Sequence, residues 1–149
     1  MDSFELAKKA RKSISSFCIN ECSAYCCRKG FLIVTKKELD LINLIKKEDM
    51  KFLVKKLENG AFSLYLGYSK FPCPSLTKEF TCGIHTKKGR PQVCKDFPLF
   101  IKDKTVFLSN RCFAVQRNLF FSYIKQFENM GFKLHKYSDL EALDVFKIL

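Results

Sequence analysis

The sequence predicts an α+β fold: a small single domain, residues 1–149, of four or five helices with two or three short strands and an irregular cysteine-rich segment. Three observations predict it. Apolar residues recur at helical spacing behind recognisable caps, and short β-branched or aromatic runs lie between those stretches. A segment from Phe71 to Pro98 loses both periods and gains Pro, Gly and Cys. At 149 residues and 47% hydrophobic content, one core needs no obligatory staples, and no repeat, low-complexity tract or composition shift marks a linker.

Taken in order, Ser3 is the expected N-cap of a helix to about Phe17, with Leu6, Ala10, Ile14 and Phe17 on one stripe. Phe31–Val34 reads as a buried strand, and Thr35-Lys-Lys-Glu38 is a capping box opening a helix whose apolar face is Leu39, Ile42, Leu44 and Ile45. A further helical turn or two is expected from Asp49 to Leu57, ended by Asn59-Gly60. Ala61–Leu66 alternates with period two and reads as a half-buried strand. Leu99–Ile101 and Thr105–Leu108 form a hairpin with Lys102-Asp-Lys104 as a three-residue loop. The strongest helix is expected from Phe113 to Asn129, with Phe120, Tyr123, Ile124 and Phe127 on its core stripe and Gly131 past its end. Ser138-Asp-Leu-Glu141 is a second capping box, opening a last helix to Leu149.

Chemistry concentrates in the cysteines. Cys18, Cys22, Cys26 and Cys27 form a C-x3-C-x3-C-C run, and Cys73, Cys82, Cys94 and Cys112 follow, against only two histidines in the chain. Eight thiols exceed what packing asks for and point to metal ligation or disulfides. The charged start, Met1-Asp-Ser-Phe-Glu-Leu-Ala-Lys-Lys, does not resemble a secretory signal, and no stretch reaches the roughly 18 apolar residues of a membrane span. A soluble, cytoplasmic location is therefore expected, where clustered thiols stay reduced and serve metals or redox chemistry. All eight cysteines are candidate ligands of zinc or iron, including an iron–sulfur cluster, since thiolate-only coordination suits each of these.

The spacing also suggests a partition. If the first helix continued through the cluster at about 100° per residue, Cys22 and Cys26 would lie about 40° and 80° round from Cys18, with Cys27 opposite. Cys26 would then join Cys18, Cys22 and a late cysteine such as Cys94. Cys27 would turn toward Cys73, Cys82 and Cys112, around a second centre or a larger cluster.

Other functional classes have less footing. Cys82-Gly-Ile-His85 has the spacing of a metal half-site, but His85 reads as a loop residue and His135 as part of an amphipathic connector. The net charge of +12 arises largely from lysine pairs on predicted helices, the usual pattern of a solvated face, so a basic nucleic-acid-binding module ranks third. No phosphate-binding glycine loop, dinucleotide turn or paired-carboxylate site is present.

The leading cluster, together with Cys73-Pro74, Cys82, Arg90-Pro91-x2-Cys94-Lys-x-Phe97-Pro98 and Cys112, resembles the YkgJ-like cysteine-cluster family over roughly Phe17 to Cys112. The resemblance implies a zinc- or iron-chelating domain. Larger relatives similar to flagellin lysine N-methylases imply, as the alternative, a metal-dependent enzyme of methyltransferase-related or redox type. Two positions depart from the family pattern. His85 stands where an aromatic residue is usual, and Lys95 replaces an arginine, which keeps the charge but loses the bidentate fork.

Overall fold

The computed structural model describes residues 1–28, 30–42, 54–66 and 72–149. Two compact units result: a terminal unit of Met1–Cys22 with Asp96–Leu149, and a central unit of Ser23–Lys95. Each contains one three-stranded sheet among the described residues, so the class is α+β, with six strands where two or three were expected.

In the terminal unit, α1 (Ser3–Ser13) is capped by Asp2, whose side chain accepts the Glu5 N–H at 2.9 Å, one residue earlier than the sequence suggested. The helix breaks at Ile14 and resumes as α2 (Ser15–Asn20). Strands β4 (Leu99–Lys102) and β5 (Thr105–Ser109) pair with Lys102 opposite Thr105, so the loop is two residues long. Asp103 and Lys104 both have positive φ, 45° and 60°, the conformation of a type I′ turn that matches strand twist.

The long helix expected from Phe113 is divided into α6 (Phe113–Gln116) and α7 (Phe121–Asn129), with Asn118 left-handed at φ 59° between them. Asparagine tolerates that region because its side chain can bond locally. The stripe survives the break: Phe120, Ile124 and Phe127 are buried with Leu6, Ala10, Leu99, Val106 and Leu108. Gly131 closes α7 in a Schellman arrangement, its N–H on Glu128 O and that of Phe132 on Phe127 O, with the Phe127 and Phe132 rings 5.4 Å apart. The chain then forms β6 (Lys133–Tyr137), parallel to β5, where a connector was expected. Beyond Ser138, whose N–H reaches Glu141, α8 spans Ala142–Ile148.

The central unit carries the cysteine-rich segment. It holds α3 (Tyr25–Arg28), β1 (Gly30–Val34), α4 (Lys36–Leu41), β2 (Val54–Lys56), β3 (Phe62–Leu66) and the start of α5 (Gln92–Asp96). Its antiparallel sheet has the order β1-β3-β2, so the strand that reads as half-buried is the central one. Val54–Lys56 is strand and not helix, and the rest of the helix expected from Asp49, with Leu44 and Ile45, lies outside the described residues. The Thr35–Glu38 capping box forms as read. Leu32, Val34, Leu39, Ile42, Leu64, Leu66 and Ile84 make the core, with Cys73, Cys82 and Cys94 packed against it. No helix among the described residues is long and apolar enough to cross a membrane.

Candidate metal centre

Four short devices in the central unit bring cysteines together. Ser23 and Ala24 are both left-handed, at φ 50° and 51°, and turn the chain into the single helical turn of α3. The turn is held by the Cys27 N–H on Ala24 O and by Arg28 Nε on Ser23 O, both at 2.9 Å. The Cys27 carbonyl then accepts the Cys73 N–H at 2.7 Å, which ties α3 to the Cys73-Pro74-Ser75 turn.

In that turn the Ser75 N–H and hydroxyl both bond the Cys73 sulfur, and each favours its thiolate. Thr77 and Thr81 close a tight loop around Phe80, whose φ is 62°, and the Leu76–Cys82 bridge returns the chain toward Ser75. Gly83 donates to Ser75 O at 2.7 Å, and a Cβ at Gly83 would stand 3.0 Å from that oxygen, so only glycine fits without a shift. Cys94 sits in α5 behind the fully buried Pro91, whose carbonyl accepts the Cys94 N–H at 3.1 Å. Glu38 fixes the start of that helix by accepting the Gln92 N–H at 2.8 Å.

The thiols report one another through their acidity. Cys27 is driven well above the ordinary thiol range, first by the hydrogen bond between its side chain and that of Cys26, then by burial and by charge repulsion from Cys26, Cys73 and Cys94. Burial and the neighbouring thiols push Cys94 up to about 12, against the opposing pull of the Arg90 charge. Cys73 rises mainly by burial, with Ser75 opposing. Every pair among Cys26, Cys27, Cys73 and Cys94 interacts in this way, and Cys82 acts on Cys73 and Cys94. These four thiols thus lie near enough to repel one another when ionised, with Cys82 near two of them.

This differs from the partition drawn on a continuing helix. The helix ends at Asn20 and the chain reverses hand at Ser23 and Ala24, so the angular projection from Cys18 does not carry to Cys26. Cys26 and Cys27 do not point apart, because their side chains hydrogen-bond; in a one-turn helix neighbours are separated by about 100°, close enough for two rotamers to converge. Cys112 is buried in the core of the terminal unit, with Cys18 packed against the same core. Cys22 is buried as well, its Sγ 3.4 Å from Cys18 O.

None of the eight cysteines is in a disulfide. His85 is exposed, and His135 lies on the Phe107 ring with Nε2 3.4 Å from Glu141. Among the described residues, no three His, Cys, Asp or Glu side chains already stand in ligating geometry. The donor set nevertheless fits a thiophilic ion: it is all sulfur, buried beside apolar side chains, and supplied with N–H and O–H donors to Cys73. Sequence reasoning did not find Ser75 or the charge role of Arg90, although the Cys-Pro-Ser turn and the arginine four residues before Cys94 were both legible.

A family model described as "CxxCxxCC: Putative zinc- or iron-chelating domain" matches residues 17–113. No curated protein and no solved structure matches the chain. The family label has two-residue spacers where this chain has three.

Proposed function

The chain belongs to this cysteine-cluster family, and on that premise we propose that it chelates one zinc or iron ion, or an iron–sulfur centre, through Cys26, Cys27, Cys73 and Cys94. The observation that carries this reading is the complete set of pairwise interactions among those four thiols. Cys27, Cys73 and Cys94 hold their protons more tightly than an ordinary thiol, so protons occupy the site in the absence of metal. Binding must displace them, so affinity climbs with pH. Cys82 flanks the set as a fifth donor, and Cys18, Cys22 and Cys112 are the candidates for any second centre, in the terminal unit. A bound zinc would supply a closed structural crosslink, and an iron–sulfur centre would add electron transfer.

Elemental analysis of anaerobically purified full-length protein tests the proposal. One equivalent of the centre is expected per chain: a single zinc or iron ion, or a cluster of about two to four irons with matching sulfide and a visible charge-transfer band. Cys26→Ser and Cys27→Ser should each lose that equivalent, while Cys82→Ser retains most of it. Two equivalents, with one surviving Cys26→Ser, would assign a second centre to the terminal unit. Metal-free protein with eight reactive thiols, unchanged in melting when zinc is added, would sink the reading.

A further inference from the structure

Resting on that reading, we propose that Arg90 is the positioning and charge-compensating residue of the centre, its guanidinium donating to the thiolate sulfurs when the site is loaded. Four thiolates around a divalent ion carry a net charge near −2, and burying that charge demands a cation close by. Arg90 is placed to be that cation. Its Nη2 donates to Cys94 O at 3.1 Å, its backbone N–H bonds Lys87 O, and the buried Pro91 fixes the chain beyond it. Its Nε–H is fully buried and has no hydrogen-bond partner among the described residues. A buried donor of this kind calls for an acceptor.

Two other cations of the same unit, Arg28 and Lys95, are committed elsewhere. Arg28 bonds Ser23 O and lies over Tyr25, while the Lys95 side chain extends to Lys88 O at 3.5 Å in solvent. A fork with several N–H groups can hold the Cys94 carbonyl and a sulfur at once, which a single ammonium does less well.

Zinc affinity, measured by competition with a chromophoric chelator, tests this on the full-length wild type, Arg90→Gln and Arg90→Lys. Circular dichroism of each zinc-loaded protein is the control. Arg90→Gln should bind zinc about 10- to 100-fold more weakly with an unchanged loaded spectrum, and Arg90→Lys should recover most of the loss, since the charge is kept. Equal affinity in Arg90→Gln and wild type would overturn the inference. So would equal weakening in both variants with loss of folded signal, which would make Arg90 a scaffold for the Cys94 carbonyl and no more. Failure of the wild type to take up zinc or iron at all is read before any variant; it would overturn the chelation reading and this inference with it.

Discussion

Among the described residues, the two units differ in the cores they build. Phe120, Phe127 and Phe132 stand with eleven other buried residues in the terminal core, whereas the central core has seven described buried residues, all aliphatic, with Phe62, Tyr65, Cys73, Cys82 and Cys94 among the side chains packed against it. Small cores of this size rarely hold a fold without a staple. The difference teaches that one unit can rest on packing, whereas in the other, on the chelation proposed above, packing and metal ligation would fall on the same residues.

The sharpest way to break the comparison is to strip the metal. Chelation is expected to unfold the central unit and spare the terminal one, because thiolate ligation in small domains is worth on the order of 10 kcal/mol. Hydrogen exchange should then lose protection at Leu32 and Leu64 in the β1–β3 pair while keeping it at Val106 and Ile124. Uniform loss, or no loss, would remove the contrast. The converse substitution is Phe127→Ala, which empties a buried ring position and should cost about 3–5 kcal/mol. Metal content should not change.

Much of this contrast was legible where signals are local. The Thr35–Glu38 box, the α7 stripe and the Gly131 stop each depend on residues within one or two turns, and all three formed as read. Strand β6 was missed because Lys133 to Lys136 are all exposed, so no alternation of burial marks it; its place comes from parallel pairing with a strand nearly thirty residues away. Val54–Lys56 was misread for a similar reason, since two of its three residues are exposed lysines on a sheet edge. At the site, residue type identified the donors. Their grouping turned on two left-handed residues, Ser23 and Ala24, and neither side chain announces a positive φ.

Alkaline pH should separate the units by onset. Cys94 has an ordinary thiol value of 9.0 and is pushed up to about 12 by burial and its thiol neighbours, whereas Tyr137 of the terminal unit rises from 10.0 to about 12 mainly by burial. Below pH 9 both groups are protonated, folded or unfolded, and neither changes stability. Above its unfolded value each group ionises first in the unfolded chain, so folding weakens by up to about 1.4 kcal/mol per pH step for each group. The metal-free central unit should start to lose stability near pH 9, and the terminal unit nearer pH 10. Loaded protein should lack the earlier onset, because its thiols are already ionised. Coincident onsets by circular dichroism and tyrosine absorbance would contradict this ordering.

The smallest effect sharpens the comparison most finely, because it sets two helix caps of similar strength side by side. Asp2 caps α1 in the terminal unit through one bond to the Glu5 N–H. Glu38 belongs to the capping box of α4, where one carboxylate oxygen accepts the Thr35 N–H at 2.8 Å and the other accepts the Gln92 N–H, two residues before Cys94. Asp2→Ala and Thr35→Ala should each cost about 1 kcal/mol and leave zinc affinity unchanged. Glu38→Ala should cost a similar amount, yet weaken zinc binding several-fold as well, because it releases the start of α5 and with it the position of a ligand. Chelator competition on the three variants decides the point. If Glu38→Ala binds zinc as tightly as Thr35→Ala does, the cap and the centre are independent, and the joining of packing with chelation in the central unit does not extend as far as α4.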